Sequence, residues 1–276
     1  MITRIAQVSD GHLSAVRPFF AANFAAVAEA VRADAPDLML VTGDLSLDGA
    51  DSDDDLAHAV AAHAAIGAEW LRVPGNHDVG DEPVLGGRQP VDAARLARWR
   101  RLAGPEAWVH DIPGWRLIGL DTQSLTVNEA QWAVIERGWR DAGARRVALI
   151  QHKPLAEHAV ADTAVNYWPV LPAPRARLLT LGTPALVLSG HVHQWRARVA
   201  DGIPQVWAPS TGFIVGDRWQ AVLGEKRLGW VEHAFHADGR HEHWLRDVAG
   251  LRLDDIGLMP EVYGPMATVE PGRPGE

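Results

Sequence analysis

Short apolar runs alternate with amphipathic stretches along most of the chain. The apolar runs are about four to six residues long, and several are rich in Val, Ile or Leu, which is typical of buried strands. The predicted strands are Arg4–Ser9, Leu38–Thr42, Trp70–Pro74, Arg116–Leu120, Val147–Ile150 and Ala185–Ser189. Strands that alternate with helices along a chain indicate an α/β fold.

Four amphipathic stretches predict helices between these strands. The first has apolar residues at helical spacing, and further helices are expected at about 54–65 and 92–102. The fourth is expected to open with Asn128 as N-cap and Gln131 at the third helical position, the spacing of a capping box. The apolar faces consist of Phe20, Phe24, Val27, Ala28 and Val31 in the first helix, Leu96 and Trp99 in the third, and Trp132, Ile135 and Trp139 in the fourth.

Beyond residue 200 the chain changes to shorter strand-like segments. These are Gln205–Ala208, Trp230–His236 and His241–Leu245, and the last two flank Asp238-Gly239, a hairpin signal. Internal repeats and a convincing linker are both absent from the sequence. We therefore expect one domain over residues 1–250, followed by an ordered strap and a frayed tail over residues 251–276.

Composition excludes several kinds of chemistry. The chain has 276 residues and no Cys, which rules out disulfides, thiolate catalysis, Cys-ligated zinc and iron–sulfur clusters. A net charge of −9 argues against a broad nucleic-acid-binding surface. Neither a membrane-spanning run nor a signal peptide is evident, so we expect a cytoplasmic protein without membrane contact.

Polar residues cluster directly after five of the predicted strands. The clusters are Asp10-Gly11-His12, Gly43-Asp44, Gly75-Asn76-His77-Asp78, His152 and Gly190-His191-Val192-His193. The carboxyl ends of strands in an open α/β sheet form the ligand crevice, so these clusters are expected to converge. Glycine beside four of them would permit sharp turns and leave room for ions or phosphate.

The residue types in these clusters are nitrogen and oxygen ligands. Such ligands suit Mn, Fe, Co, Ni or Zn, and seven of them are too many for one ion. Two ions that share a bridging carboxylate would use all seven, and two-metal sites act on phosphorus by in-line displacement. Each cluster alone has a simpler interpretation, since Gly-Asp after a strand is usually a turn or a helix cap. The candidate ligands are Asp10, His12, Asp44, Asn76, His152, His191 and His193.

In this order, the five clusters resemble the motifs of the calcineurin-like metallophosphoesterase superfamily. The superfamily pattern is D-x-H, G-D, G-N-H-D/E, H and G-H-x-H, and it is matched across residues 10 to 193. Within the superfamily the sequence looks most like bacterial cyclic-nucleotide and glycerophosphodiester phosphodiesterases. Residues 194–276 carry no motif of this kind.

The resemblance implies a fold and a role for each motif residue. The fold would be a four-layer αββα sandwich with two mixed β-sheets. One ion would be bound by Asp10, His12 and His193, the other by Asn76, His152 and His191, with Asp44 as the bridge. The ions would be two divalent or trivalent metals (Mn, Fe, Zn or Co), and a hydroxide that bridges them would attack phosphorus in line. His77 would protonate the leaving alkoxide as general acid.

Two residues depart from the family's common pattern, and others could shape the substrate site. Gly11 and Lys153 replace other common residues beside the ligands and are expected to alter substrate fit.

Arg88 could bind a phosphate, and the acidic run 51–55 could complement a helix dipole or form a gate or cation site. The long connection 153–176 could act as a lid, with Asn166, Tyr167 and Trp168 either stacking on a substrate or packing in the core.

Other aromatic residues and histidines are given simpler interpretations. Most of the twelve Trp are expected in the core, whereas Trp195 is expected at the rim of the site. Eight histidines are not expected to be ligands: His58, His63, His110, His158, His233, His236, His241 and His243.

The favoured function is a binuclear-metal phosphodiesterase for small phosphodiesters of the cyclic-nucleotide or glycerophosphodiester type. The alternatives are a phosphomonoesterase or pyrophosphatase on the same site and a non-catalytic metal-binding interaction scaffold. A nuclease is disfavoured because the acidic composition indicates no basic groove for a nucleic-acid polymer. The expected partner is a small-molecule phosphodiester substrate, and the sequence leaves a homo-oligomer open.

Overall fold

The chain folds into two β-sheets with helices on their outer faces, as seen in a computed structural model that describes residues 1–268. The strands are β1 (Ile2–Val8), β2 (Leu38–Thr42), β3 (Trp70–Val73), β4 (Trp108–Ile112), β5 (Trp115–Gly119), β6 (Arg146–Ile150), β7 (Leu186–Ser189), β8 (Arg196–Ala200), β9 (Ile203–Trp207), β10 (Trp230–His236) and β11 (His241–Arg246). The helices are α1 (Ala21–Asp34), α2 (Asp53–Ala64), α3 (Asn76–Val79), α4 (Ala93–Leu102), α5 (Glu129–Arg140), α6 (Pro172–Leu181) and α7 (Pro260–Tyr263).

Both sheets are mixed. The first has the strand order β11-β10-β1-β2-β3, in which β1, β2 and β3 are parallel and β10 is antiparallel to β1. The second has the order β4-β5-β6-β7-β9-β8, in which β5, β6, β7 and β9 run parallel. The strands that precede the polar clusters are therefore parallel neighbours within their own sheets.

Three apolar layers hold the sandwich together. Leu38 and Leu40 face the second sheet, where they join a cluster that includes Ile150 and Leu188. The alternate residues of β2 face α1, α2 and α4, and the far side of the second sheet packs on α5 and α6. The alternation of side chains along β2 thus serves two cores at once. The predicted four-layer αββα sandwich is confirmed.

Sequence patterning located most elements, but it missed two strands. Each of the six strands predicted before residue 190 is present, with small shifts at its ends, and the hairpin at Asp238-Gly239 joins β10 to β11. The missed strands are β4 and β8, which lie at the two edges of the second sheet. Both alternate exposed and less exposed residues, so neither has the continuous apolar run of a buried strand.

The predicted capping box at the start of α5 is wrong. Asn128 is the N-cap residue, but its side chain makes no capping hydrogen bond and donates instead to Glu106 at 2.8 Å. Gln131 donates to the Ser124 hydroxyl at 2.9 Å rather than reaching back to the cap. Both amides are buried against the preceding loop, where tertiary partners replace the local ones.

The acidic run before α2 joins two helices. Ser52 caps α2 by accepting a hydrogen bond from the Asp55 amide, and Asp51 pairs with Arg95 at 2.7 Å. Asp53 pairs with Arg98 and Arg101 on α4. These pairs are exposed and screened by solvent, so they stabilise the contact only weakly, and the structure shows the run as a helix start with ion pairs to α4.

The segment after β11 packs across the carboxyl-terminal edge of the strands. Ile256 and Val262 are buried in a cluster with Phe20 and Phe213. Residues 269–276, the end of the predicted tail, lie outside the described residues, and the single-domain interpretation of residues 1–250 stays a prediction. Among the helices of residues 1–268, none is both long and apolar enough to cross a membrane.

His63 gives the fold a pH dependence that is separate from the polar clusters. Its ring is buried on α2 between Phe24 and Trp70, and its Nδ1–H donates to the Ala59 carbonyl at 2.8 Å. Burial lowers the pKa of His63 to about 4, and the hydrogen bond only partly opposes this effect. Since the unfolded chain takes up this proton near pH 6.5, stability contributed by neutral His63 is lost as the pH falls from about 6.5 to 4.

We expect the His63→Leu variant to lose less stability than the parent between pH 7 and pH 4.5. The difference should be about 2 kcal/mol in the free energy of unfolding, measured by urea titration of metal-free protein. His58→Leu on the exposed face of the same helix is the control and should follow the parent. An identical pH dependence for His63→Leu and parent would contradict this assignment.

Candidate metal centre

The five polar clusters meet at one edge of the sandwich. The loops after β1, β2 and β3 come from the first sheet, and those after β6 and β7 come from the second. The amide of Asp10 donates to the Gly43 carbonyl at 3.0 Å, so the first two loops continue the pairing of their strands. The His191 amide donates to the Asp10 carboxylate at 3.1 Å, which connects the two sheets.

One group of side chains that could bind a metal ion consists of Asp10, His12, Asp44 and His193. All four are buried. His193 Nε2 lies 3.2 Å from His12 Nε2 and 3.3 Å from Asp10 Oδ1. Asp44 Oδ2 lies 3.7 Å from His12 Nε2. Ligand atoms at about 2.0–2.2 Å from one ion are separated by roughly 3 Å, so these four fit a common ion.

A second group shares Asp44 with the first. It consists of Asp44, His152 and His191. His152 Nε2 lies 3.2 Å from Asp44 Oδ2 and 3.2 Å from His191 Nδ1. Asn76 Oδ1, a carbonyl-type ligand, lies 3.3 Å from the same His152 nitrogen. The two groups divide the residues in the way the sequence motifs imply, with Asp44 between them.

Each candidate histidine ligand has one ring nitrogen occupied by an oxygen outside the site. Nδ1 of His152 and of His193 contact the carbonyls of Thr42 at 2.7 Å and Phe213 at 2.9 Å. A ring nitrogen that donates to a carbonyl leaves the other nitrogen unprotonated in a neutral imidazole. The Nε2 atoms of both rings therefore face the site. Burial opposes the charge of His152, but the Asp44 carboxylate outweighs it and raises the pKa of His152 to about 9, so a metal ion would take the place of the Nε2 proton of that ring.

The other two histidines follow the same rule with different atoms. His12 Nδ1 lies 2.7 Å from the hydroxyl of Tyr263, so Nε2 faces the site. In His191 the roles are reversed, since Nε2 lies 3.4 Å from the Tyr167 carbonyl and Nδ1 faces His152. These outer contacts orient the rings as ligands before any ion arrives.

Five of the seven candidate ligands have left-handed backbone. They are Asp10, His12, Asp44, His191 and His193, with φ between 45° and 68°. Non-glycine residues rarely adopt this conformation, and each instance costs on the order of 1 kcal/mol. Strain concentrated at these positions is typical of a site whose side-chain positions matter more than local stability.

The neighbouring glycines make room for ligand side chains. A methyl carbon at Gly75 would lie 2.1 Å from Asp44 Oδ1, and one at Gly43 would lie 2.3 Å from His152 Nδ1. A methyl carbon at Gly190 would lie 2.5 Å from Asp10 Oδ2. Gly11 differs, because a methyl carbon there would meet His63, Phe24 and the Leu45 carbonyl at ordinary contact distance. Gly11 therefore faces the helices, and the expectation that it alters substrate fit is wrong.

Asp44 is the electrostatic centre of the site. Burial disfavours its charge, but the imidazoles of His152 and His77 outweigh burial and keep its pKa well below the usual value. The His77 amide also donates to Asp44 Oδ1 at 2.8 Å. Asp44 therefore carries its negative charge in the fully folded protein, which is the state that binds a cation.

His77 lies beside the ligand groups and belongs to neither of them. Its Nδ1–H donates to the Leu47 carbonyl at 3.1 Å, which leaves Nε2 as the nitrogen free to exchange a proton. Its ring centroid is 4.7 Å from that of His12. Its side chain lines the cavity over the two ligand groups.

Asp78, the last residue of its motif, acts on the backbone. Its Oδ2 accepts from the amides of Leu45 and Gly75, and its Oδ1 accepts from the amide and hydroxyl of Ser46. These contacts fix the loop after β2 against the loop after β3. Asp44 and Asn76 belong to these two loops, so Asp78 sets the spacing between the candidate ligands they carry.

A cavity of about 300 Å³ opens over the two ligand groups. Tyr167 and Trp168 line one wall, and Tyr263 lies on another. Arg88, which could bind a phosphate, is exposed at its rim. Trp195 is not among the lining residues and packs against the ring of His243, so its predicted rim position is wrong.

The connection after β6 is shorter than predicted, because α6 begins at Pro172. Pro172 and Pro174 lie in the first turn of that helix, where the missing N–H costs nothing. The remaining loop brings Tyr167 to the site, where its hydroxyl accepts a hydrogen bond from Asn76 at 3.1 Å. Asn166 does not join it, since its amide donates to Glu157 at 2.9 Å.

Lys153 is buried beneath this loop. Its Nζ lies 4.8 Å from the centroid of the Tyr167 ring and has no hydrogen-bond partner within residues 1–268. Burial lowers the pKa of Lys153 to about 8, against the opposing charges of Asp81 and Glu82. Tyr167 lies over Lys153, and Lys153 is not among the residues that line the cavity. Its side chain is therefore not placed to contact a substrate directly.

The sequence analysis missed Tyr263. It lies in the Gly- and Pro-rich segment after residue 250, where neither a motif nor a periodic pattern marks it. The structure places its hydroxyl on His12 and its ring centroid 4.7 Å from that of His77. Burial raises the pKa of Tyr263 well above the usual value, so the hydroxyl stays protonated.

The eight remaining histidines do not join either ligand group within the described residues. His233, His241 and His243 lie on β10 and β11, where their rings pack against one another. The Nδ1 of His233 contacts His241 Nε2 at 3.0 Å, and the Nε2 of His233 contacts Gln7 Oε1 at 3.0 Å.

Solved structures with the same fold include a dimetal phosphatase and proteins with other descriptions. A dimetal phosphatase from Danio rerio has a TM-score of 0.53 and 12% identity, over 84% of this chain and 92% of that one. A Plasmodium protein described as the anchor in the inner membrane complex has a TM-score of 0.55 and 11% identity, over 99% of both chains. A Thermus thermophilus protein has a TM-score of 0.50 and 12% identity, over 89% and 99%.

Comparisons of the sequence itself give two results. A search of curated protein sequences finds no match. The family model for calcineurin-like phosphoesterases, however, matches residues 3–195, which carry all five polar clusters. The structural neighbours at low identity establish the fold, and the family model covers more than half of the chain. The chain belongs to the calcineurin-like phosphoesterase family.

Proposed function

We propose that the protein is a binuclear-metal phosphodiesterase that hydrolyses small phosphodiesters. The observation that carries the proposal is the pair of ligand groups that share the buried Asp44 carboxylate. Such an arrangement suits two ions about 3.5–4 Å apart, which can stabilise both the attacking and the leaving oxygen at phosphorus. His77 beside the pair provides the proton donor that a poor leaving group requires.

Each residue has a task in this scheme. When bound, the two ions lower the pKa of water and offset charge on the phosphoryl oxygens. Asp44 orients the two ligand groups relative to each other, and its contact with the His77 amide fixes the backbone of the proton donor. In its doubly protonated form, His77 would donate the Nε2 proton to the departing oxygen, while the Leu47 carbonyl keeps the ring in place through the Nδ1–H bond.

The shape and charge of the site support a small substrate. A cavity of about 300 Å³ accommodates a phosphoryl group with a nucleoside or a glycerol-sized substituent. Its aromatic walls suit an apolar or planar substituent, and Arg88 at the rim suits a second anionic oxygen. With a net charge of −9, the chain does not favour a long nucleic-acid polymer. We therefore propose cyclic nucleotides or glycerophosphodiesters as substrates, in the cytoplasm.

A non-catalytic scaffold is the second candidate. One observation favours it, since the Plasmodium neighbour that aligns over 99% of both chains is described as an anchor. A scaffold has no need of a proton donor beside its metal ligands. Retention of His77 with a free Nε2 facing the cavity supports the enzyme instead.

We expect metal-stripped protein to hydrolyse bis-p-nitrophenyl phosphate only after Mn²⁺ is added. The Asp44→Asn variant should lose at least about 100-fold in kcat, because the amide removes the shared negative charge. Release of p-nitrophenolate measures both. Asp247→Asn is the matched control, since Asp247 is exposed and its ion-pair partner within residues 1–268 is Arg227 at the surface, and it should retain full activity.

The same assay with p-nitrophenyl phosphate and pyrophosphate separates the alternatives. Turnover of either compound without turnover of the diester would replace the proposal with a monoesterase or pyrophosphatase. Mn²⁺ binding without turnover of any of them would replace it with the scaffold.

Replacement of His77 should have an effect that depends on the leaving group. We expect His77→Ala to lower kcat roughly 100-fold for a cyclic nucleotide, whose ribose alkoxide must be protonated as it leaves. The loss for bis-p-nitrophenyl phosphate should be less than about tenfold, because nitrophenolate leaves with little protonation. Steady-state kinetics on both substrates measure the ratio, with exposed His58→Ala as the control. Equal losses on the two substrates would count against His77 as the acid.

A further inference from the structure

The site includes a residue from the far end of the chain. The matched family region ends at residue 195, whereas Tyr263 lies on α7 in the segment that follows the last strand. Its hydroxyl oxygen is 2.7 Å from Nδ1 of His12. Its ring is one wall of the cavity, next to the ring of His77.

The segment that carries Tyr263 is fastened to the body of the protein through residues 252–256 and through the buried Val262. The amide of Ile214 donates to the Asp254 carbonyl at 2.9 Å, and the Ile256 amide donates to the Ile214 carbonyl at 3.0 Å. The Asn23 side chain donates to the Arg252 carbonyl at 2.7 Å. Val262, directly before Tyr263, is buried. The position of the hydroxyl is therefore fixed by the fold.

The direction of the hydrogen bond follows from the chemistry of His12. His12 Nε2 lies 3.2 Å from His193 Nε2, inside the first ligand group, so Nε2 is the atom that can bind a metal ion. A neutral imidazole that binds through Nε2 carries its proton on Nδ1. His12 must then donate to the Tyr263 oxygen. His12 then cannot accept the hydroxyl proton of Tyr263, so that proton can be donated to another acceptor.

We propose that Tyr263 is a positioning residue for His12, and that it donates its own hydroxyl proton into the cavity, toward an oxygen of the substrate phosphoryl group. The first part acts on the metal ion through the tautomer and orientation of His12. The second part adds a donor next to His77. The proposal rests on the proposed function for its substrate, but its effect on metal binding does not depend on turnover.

The Tyr263→Phe variant removes the hydroxyl and retains the ring. We expect one of the two Mn²⁺ affinities, that of the group containing His12, to fall at least about tenfold, since loss of an outer hydrogen bond to a histidine ligand typically costs 10–100-fold. Competition with a fluorescent chelator measures this affinity in protein that is not turning over. Trp244→Phe, an aromatic substitution at an exposed position of β11, is the control and should match the parent.

Inhibition by inorganic phosphate tests the second part in the Mn²⁺-saturated enzyme. We expect the inhibition constant to rise about tenfold in Tyr263→Phe, together with KM for bis-p-nitrophenyl phosphate, because one hydrogen bond to a charged oxygen is lost. Unchanged Mn²⁺ affinity would overturn the positioning role. An unchanged inhibition constant would overturn the hydroxyl as a phosphoryl donor.

Thermal melting without metal shows whether the Tyr263→Phe variant folds. If it does not fold, NMR spectroscopy of the parent protein tests the positioning role instead. In Zn²⁺-loaded protein with ¹⁵N-labelled histidine, His12 should show a protonated Nδ1 in slow exchange with water and a Zn²⁺-bound Nε2. Binding of Zn²⁺ through Nδ1 would overturn the proposal. Parent protein that binds Mn²⁺ but hydrolyses no phosphoester would instead refute the proposed function and leave the comparison of affinities valid.

Discussion

The buried charge of Asp44 is the constraint on which the rest of the site depends. A carboxylate removed from water is costly unless charges and donors surround it. The fold provides them from three directions: the imidazole of His152, the imidazole of His12 and the backbone amide of His77. These contacts also require space around the carboxylate. Gly75 provides it, because a methyl carbon at that position would lie 2.1 Å from Asp44 Oδ1. The left-handed backbone of Asp44 itself completes the arrangement.

The ends of the buried strands could be predicted because a local change in the sequence, from apolar to polar residues, marks them. Buried parallel strands such as β2 are continuous apolar runs, so the change to Gly43-Asp44 is visible in the sequence. The order of five such changes then identified the ligands that the structure brings into two groups. The edge strands β4 and β8 were missed because half of their residues face away from the core and carry no comparable signal.

Contacts over long sequence separations were not predictable from local pattern. Tyr263 reaches His12 across more than two hundred residues, from a segment without periodicity. The burial of Lys153 depends on the loop that brings Tyr167 over it, and the reassignment of Asn128 depends on Glu106 in another loop. In each case a tertiary partner determined the role of a side chain whose neighbours in sequence indicated something else.

The two sheets contribute different chemical halves of the candidate centre. Every acidic ligand, Asp10 and Asp44, follows a strand of the first sheet, whereas the second sheet contributes imidazoles alone: His152, His191 and His193. The pairs Asp10–His193 and Asp44–His152 therefore join one sheet to the other. Neither sheet alone carries a complete ligand group, so an ion bound by either group would connect residues of both sheets. Metal binding and the packing of the two halves are then linked, and each favours the other.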